Sequence, residues 1–319
     1  MKIVGSGLSG LIGQQVKGRL LQTSELVLLK RKESIGLAQS TVRQLFWDPP
    51  QLGDWAKEID GAYAVINLAG EPIAEKKWTN AQKAALRNSR IDTTKALVGA
   101  IGQCKNKPKV FVNASAVGYY GPRDNSLLDE GSDPGAGFLA ELCQAWEKEV
   151  VQAEVFGVRT VRVRTGIVLS RQGGALAKML PPFRMFIGGP LGSGTQIMSW
   201  IHLEDEVNAI LKALEDPTIR GAVNLTAPGA VTMNEFAKTM GRVLNKPSFF
   251  RVPPIALKVL LGEMSDMLLT GQNVYPKKLL DAGFKFKYPS LEPALKDLLC
   301  APVVYHSLDN FKTKGSKDR

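Results

Sequence analysis

The sequence predicts an α/β fold, an open and doubly wound parallel sheet with a smaller, mixed and mainly helical C-terminal lobe, and three observations predict it. Short β-like runs alternate with helical patterns through the first two-thirds of the chain, as βαβ units do. Residues 64–68, apolar but for Asn67, and 110–112 are runs suited to parallel strands buried on both faces. Three glycines, Gly7, Gly10 and Gly13, stand between the first strand-like run and the first helical pattern. The length of 319 residues accommodates this plan, since ~150 residues per domain gives about two domain equivalents.

Taken in order, the strand candidates are residues 2–4, 25–29, 62–68, 110–114 and 160–163, and helical patterns lie near 12–21, 80–102 and 138–156. In 205–214, Val207, Ile210, Leu211 and Leu214 occupy the i, i+3, i+4, i+7 positions of an amphipathic helix. The Gly/Pro-rich stretch 188–194 reads as loop. From Thr232 onward the pattern is helical, with Leu257, Leu260, Leu261 and Met264 as one stripe.

The run Ser6-Gly7-Leu8-Ser9-Gly10-Leu11-Ile12-Gly13 carries the chemistry. Gly7 allows a tight turn, Gly10 lets backbone approach a pyrophosphate, and Gly13 lets helix and strand close together. The anion then rests on the free N–H groups of the helix N-terminus formed by Ser9, Gly10, Leu11 and Ile12. Where a NAD site carries an acid at the end of the second strand, this chain has Lys30-Arg31-Lys32. A guanidinium pairs with a ribose 2′-phosphate that a carboxylate would repel, so the expected cofactor is NADP(H), with Arg31 as main contact and Lys30 helping. The expected division is 1–166 for the NADP-binding domain (which also receives part of 198–230), 167–299 for the substrate lobe, and a basic, flexible tail at 300–319.

Apolar residues make up 44% and charged residues 22%, which excludes disorder, collagen-like repeats and a disulfide scaffold. Three widely spaced cysteines without a CxxC point to reduced thiols, and two histidines are too few for a His-based metal site. No apolar stretch nears the ~20 residues a bilayer requires. The chain opens directly into a strand-like run with no secretory signal, so a cytoplasmic location is expected, or an organelle if a transit peptide has been removed. The formal charge is +11, and residues 75–109 hold nine basic side chains against two acidic ones. Trp78 is the sole aromatic in that stretch and no nucleic-acid motif occurs, so no nucleic-acid or membrane partner is expected.

These motifs together resemble the extended short-chain dehydrogenase/reductase superfamily, with Ser6 in the Thr place of its TGxxGxxG pattern. Asn67-Leu68-Ala69-Gly70 is similar to the family's turn beneath the adenine and ribose side of the cofactor. Ser115-Ala116-Val117-Gly118-Tyr119-Tyr120-Gly121 is similar to its serine-bearing segment, and Trp200-Ile201-His202-Leu203-Glu204-Asp205 to its motif before a late helix. Asn67–Ala74, Lys178–Arg184 and 188–194 resemble more narrowly its atypical "epimerase family" subgroup, and 251–299 its uncharacterised C-terminal domain. The resemblance implies an NAD(P)-binding Rossmann fold with a largely unassigned activity. It adds Leu68, Ala69, Gly70, Glu71, Arg90, Gly166 and Ile167 to the expected cofactor residues, though a loop carboxylate such as Glu71 is as readily solvated.

One departure stands out. Active members of the superfamily exchange a proton through a Tyr-x-x-x-Lys pair. Here the expected Tyr falls on Leu139 and the expected Lys on Cys143, and no Tyr occurs between Tyr120 and Tyr275. Ser115, Tyr119 and Tyr120 remain the candidate catalytic residues, with Lys178 or Arg184 as a cation; alternatively the tyrosines only line the pocket. Cys143 reads as a small buried hydrophobe and His202 as a local hydrogen-bonding group. Two functions stay open: an oxidoreductase or nucleotide-sugar epimerase acting on a small anionic substrate as monomer or homodimer, or a non-catalytic NADP(H) sensor or interaction module, division being the role some relatives suggest.

Overall fold

The computed structural model describes residues 1–31 and 42–300. Lys32 and the tail from residue 301 lie outside the described residues. The chain runs β1 (Lys2–Ser6), α1 (Leu11–Leu20), β2 (Glu25–Lys30), β3 (Val42–Phe46), β4 (Ala64–Asn67), α2 (Asn80–Gln103), β5 (Val110–Ala116), β6 (Leu127–Leu128), α3 (Phe138–Val151) and β7 (Arg159–Thr165). It continues through β8 (Ile167–Leu169), α4 (Gly174–Arg184), β9 (Ile197–Met198), β10 (Trp200–His202), α5 (Leu203–Glu215), β11 (Gly221–Leu225), β12 (Val231–Thr232) and α6 (Met233–Leu244). The end comprises α7 (Pro254–Leu261), α8 (Asp266–Leu269), β13 (Asn273–Val274), α9 (Lys277–Asp281) and α10 (Leu291–Cys300).

Seven strands form one sheet in the order β11-β7-β5-β4-β1-β2-β3, and every pairing is parallel. The chain leaves β1 in one direction toward β3 and then returns to build β4 on β1's other side. The crevice at that reversal, outside the carboxyl ends of the strands, is where such sheets take ligands. Alternation along each strand sends successive side chains to opposite faces. Ile3, Ile66 and Val112 pack beneath Val16 and Leu20 of α1 and Ile210 and Leu214 of α5. Their neighbours Val4, Val65 and Phe111 pack against Leu97 and Ile101 of α2 and Val150 of α3. Both faces are therefore dry, as the continuous apolar runs require.

A separate core of Leu176, Leu180, Phe183, Phe236, Met240 and Leu295 holds the C-terminal lobe together. Asp205, fully buried in the first turn of α5, accepts the backbone N–H groups of Lys287 at 2.8 Å and Tyr288 at 2.9 Å, tying that lobe to the sheet domain. Among the described residues no helix is long and apolar enough to cross a membrane.

The structure departs from the sequence reading at several elements, among them β11 of the main sheet, the short strands outside it and helix α4, none of which stands among the predicted strands and helices. β3, at the sheet edge with Phe46 exposed, carries Arg and Gln inside a short run and gives no clean strand signal. The helix from Phe138 stops at Val151 and tightens into a 3₁₀ turn over Gln152–Phe156. The stripe Leu257, Leu260, Leu261, Met264 does not form a buried face: Leu257 and Met264 are buried, whereas Leu260 is 65% exposed.

Glu206 is fully buried in α5, and the Thr165 hydroxyl donates to its Oε1 at 2.7 Å while Oε2 has no partner among the described residues. Burial pushes its pKa up to about 8, against the smaller opposing pull of Thr165. The native chain therefore holds a proton there that the unfolded chain releases at neutral pH. This contribution to stability is full below the unfolded carboxylate's pKa and is lost as pH rises through about 8. Glu206→Gln removes the titration, so thermal melts from about pH 5 to about pH 8 should fall less for the variant than for the parent chain; parallel curves would contradict the assignment.

Candidate functional site

The glycine segment lies at the reversal crevice, and its backbone explains its composition. Gly7 has φ +73°, and a Cβ there would stand 2.2 Å from the Leu68 carbonyl carbon and 2.3 Å from the Ala69 nitrogen. A Cβ on Gly13 would meet the Gly7 oxygen at 2.3 Å. Gly10 is different: it is exposed, its nearest would-be contact is 3.5 Å away, and it caps α1 without any side-chain hydrogen bond. The first turn of α1 contains no acid and the Gly10 N–H is turned back to the Gly7 carbonyl at 3.2 Å, so the N–H groups of Leu11 and Ile12 form the uncapped positive helix end. Ser9 is exposed, and Leu11 and Ile12 are half-buried at the same end.

Parallel register carries the other expected residues to this edge. Ser6 lies opposite Leu29 on one side and Asn67 on the other. Lys30, half-buried, and Arg31, exposed, therefore follow directly beside the glycine turn, and Leu68, Ala69, Gly70 and Glu71 follow on its opposite flank. Beneath them runs a buried polar chain that sequence reasoning missed. Ser6 donates to Asn67 Oδ1 at 2.5 Å, Asn67 Nδ2 donates to Asn113 at 2.7 Å and to Thr94 at 3.2 Å, and the Trp146 indole donates to Thr94 at 2.9 Å. Asn67 Oδ1 also accepts the Ala69 N–H at 3.2 Å, which fixes the turn after β4.

Arg90 reaches up from α2 against Gly70, where a Cβ would stand 3.1 Å from its guanidinium carbon. It donates to the carbonyls of Glu71 and Leu86 at 3.1 and 3.0 Å, and burial lowers its pKa despite Cys143 and Glu71 nearby. The Glu71 carboxylate stands 3.5 Å from Lys76. Gly166 and Ile167 form the step where the chain leaves the main sheet for the β8–β10 pair. The Gly166 N–H donates to Leu225 and the Ile167 N–H to Ser199. A Cβ at Gly166 would meet the Ser199 oxygen at 2.6 Å.

The three hydroxyl residues cluster around one ion pair. Arg164 and Glu147, 3% and 7% exposed, are joined through Nε–Oε1 at 2.8 Å and Nη2–Oε2 at 2.9 Å. Ser115 donates to the same Glu147 Oε1 at 2.7 Å. Arg164 also donates to the Tyr120 hydroxyl at 2.9 Å and lies 3.5 Å from the centre of the Tyr119 ring. Burial works against the Arg164 charge, but the hydrogen bonds and charge of Glu147 outweigh it and raise its pKa. Tyr120 has no exposed surface, donates to Asn224 at 2.7 Å, and is pushed up to about 12 by burial against the pull of Arg164. That placement fits a structural role better than proton exchange. Tyr119 alone of the two rings is half-exposed.

The cation beside these phenols is neither Lys178 nor Arg184. Lys178 donates to the Ala74 carbonyl at 2.9 Å, bridging α4 to the loop after β4, and Arg184 is exposed at the end of α4. Arg164 occupies that role, and its position in the interior of β7 offered no motif to find it by. Leu139 and Cys143 face the Gly118 segment on successive turns of α3, 3.3 and 3.8 Å from a would-be Cβ. The Cys143 thiol is pushed up to about 12, chiefly by burial and then by Glu147, as befits an inert hydrophobe. His202 caps α5 by accepting the Glu204 N–H, and burial lowers its pKa. Beyond Gly121 a cavity of about 600 Å³ opens between residues 122–126, 193–197 and 269–271, with Arg123, Asn125, Ser193 and Gln196 among its walls.

Comparison with known proteins finds two matching family models. The model of the NAD dependent epimerase/dehydratase family matches residues 3–225, and that of a domain of unknown function, DUF1731, matches 252–298. The chain is 39% identical over 308 residues to the "Epimerase family protein SDR39U1 homolog, chloroplastic" of Arabidopsis thaliana, covering 94% of this chain and 87% of that protein. The crystal structure of human epimerase family protein SDR39U1 with NADPH superposes with a TM-score of 0.84 at 33% identity, over 93% of this chain and 99% of that one. A nucleoside-diphosphate sugar epimerase from Corynebacterium glutamicum gives a TM-score of 0.74 at 29% identity, over 94% of this chain and 58% of that longer one.

Removing Arg164 leaves the buried Glu147 carboxylate without its bidentate partner, with only the longer 3.6 Å approach of Arg162 Nε. Arg164→Ala should destabilise the fold by roughly 3–5 kcal/mol in urea titration. Adding Glu147→Gln should recover part of that loss, and strictly additive effects of the two substitutions would contradict the coupling.

Proposed function

The chain belongs to the NAD dependent epimerase/dehydratase family, and from that premise we propose that it binds NADP(H) and transfers hydride to or from a small anionic substrate of the nucleotide-sugar class. The observation that carries this reading is the glycine cradle. Gly7 and Gly13 leave no room for a Cβ, and Gly10 opens an uncapped helix end, which suits a pyrophosphate. Lys30 and Arg31 stand where an acid would select the unphosphorylated ribose, which suits a 2′-phosphate. The human relative crystallised with NADPH supports the same cofactor.

When bound, the cofactor supplies or accepts a hydride at its nicotinamide ring. The chain's own residues do the rest. Gly10 lets the pyrophosphate approach the backbone while Ser9, Leu11 and Ile12 offer it N–H groups, Leu68–Glu71 and Arg90 shape the ribose flank, and Gly166 and Ile167 form the crevice wall near the sheet's end. Proton exchange falls to Tyr119, the half-exposed phenol, with Arg164 holding its ring face-on. The polar cavity beyond Gly121 offers hydrogen-bonding walls to a hydroxyl-rich substrate, and the Corynebacterium glutamicum relative supports the substrate class.

A second reading, a non-catalytic NADP(H) sensor or interaction module, is favoured by one observation. Leu139 and Cys143 replace the usual proton-transfer pair, and the Ser115 and Tyr120 hydroxyls are both committed to the buried Arg164–Glu147 network.

Calorimetry should show NADPH binding more tightly than NADH, and Arg31→Ala should erase a preference of about 10- to 100-fold, the range for a charge-assisted pair. Equal affinities for the two cofactors in the parent chain would contradict the 2′-phosphate assignment. NADPH oxidation should be assayed against a panel of nucleotide sugars and small carbonyl acids. Turnover that Tyr119→Phe abolishes, with NADPH affinity unchanged, supports the enzyme reading. Cofactor binding without turnover across the panel supports the sensor.

A further inference from the structure

An exposed apolar face on the C-terminal lobe does not belong to the cofactor cleft. Helix α7 has the sequence Pro-Ile-Ala-Leu-Lys-Val-Leu-Leu and buries only Leu257. Ile255, Val259 and Leu260 are 73%, 79% and 65% exposed. A helix apolar on all sides is ordinarily buried. Just before it, Phe249 and Phe250 are also exposed, with their rings 4.5 Å apart. The Phe250 N–H donates to Gly188, and Leu191 bridges Val252, so this segment runs beside the turn that follows α4. That turn presents a second exposed set, Met185, Phe186 and Ile187. Phe186 is held at φ +65°, a left-handed backbone that an aromatic residue adopts only at a cost. That backbone closes α4, where the Phe186 N–H donates to the Phe183 carbonyl and the Ile187 N–H to that of Pro182, and it leaves the ring outside the core.

The side chains of this face carry only positive charge, and Glu263, just past α7, is tied to Lys83. Neither residues 174–203 nor residues 236–262 contain a single Asp or Glu. Arg184 directly precedes Met185, Lys246 lies 3.7 Å from the Phe186 ring centre, Arg251 follows Phe250, and Lys258 is the one charged residue of α7. A second copy of the chain would bring the same uncompensated positive charge to the contact. The chain beyond Cys300 is itself lysine-rich at Lys312, Lys314 and Lys317. An anionic lipid surface matches both properties, because it accepts protruding aromatic and aliphatic side chains while its headgroups neutralise a basic rim. Eight residues of helix span about 12 Å, far short of a ~30 Å hydrocarbon core, so α7 lies along the interface.

We infer that the face formed by α7, Phe249–Phe250 and Met185–Ile187 docks the protein peripherally on anionic membranes. This differs from the expectation, drawn from the lack of a spanning segment, that no membrane partner exists; lying on a bilayer needs no such segment.

The full chain should co-sediment with vesicles of phosphatidylcholine plus phosphatidylglycerol, far less with phosphatidylcholine alone, and less as salt is raised. Lys246→Glu and Lys258→Glu should each weaken binding by about fivefold or more. Val259→Ser with Leu260→Ser should abolish it, while NADPH affinity, the control for folding, stays unchanged in every variant. No sedimentation with either vesicle, equal sedimentation with both, or patch variants that bind like the parent would overturn the inference. So would a concentration-dependent dimer in sedimentation velocity that the Val259 and Leu260 substitutions dissolve, since that assigns the face to a second copy.

Discussion

Two crossover loops of the sheet meet at Gly7, and their backbones approach too closely for any side chain. The turn after β1 must pass within contact of Leu68 and Ala69 because β1 and β4 are hydrogen-bonded neighbours at the reversal of strand order. Only glycine satisfies both that approach and the left-handed φ. Everything functional follows from this contact. It aims the N-terminus of α1 out of the crevice, sets Gly13 under Gly7, and brings the residues after β2 and β4 to either side of one opening.

The polar interior behind this opening divides into two networks with different work. Ser6, Asn67, Asn113, Thr94 and Trp146 tie β1, β4, β5, α2 and α3 into a rigid floor, each donor finding an acceptor. Glu147 and Arg164 organise the second network and draw Ser115, Tyr119 and Tyr120 around one buried charge pair. In the first network neutral amides and hydroxyls suffice. In the second, Arg164 and Glu147 satisfy each other bidentately. Of the three hydroxyl residues on this segment, Tyr119 alone keeps part of its surface exposed.

Local signals carried most of the architecture. The glycine spacing, the apolar strand runs and the periodicity of Val207, Ile210, Leu211 and Leu214 each state their structure within a few residues, because helix and strand periods are local properties. Arg164 was invisible for the opposite reason. It lies in a strand of alternating Arg and Val, where alternation suggests a solvated face, and its partner Glu147 is 17 residues away on a helix. Thr94 and Trp146 pair across 52 residues and carry no motif either. The exposed α7 misled periodicity directly, since an apolar stripe implies burial only if another element covers it. The surplus charge sharpened too: part of it borders the cofactor crevice at Lys30 and Arg31, and part rims an apolar face.

A crystal structure of the complex with NADPH tests the account most directly. The account places the pyrophosphate against Gly10 on the N–H groups of Leu11 and Ile12, the 2′-phosphate on Arg31, and nicotinamide C4 within roughly 3–3.5 Å of space that Tyr119 borders, where a reacting atom must sit. A 2′-phosphate free of Arg31, or a nicotinamide ring sealed from Tyr119 by protein, would contradict it.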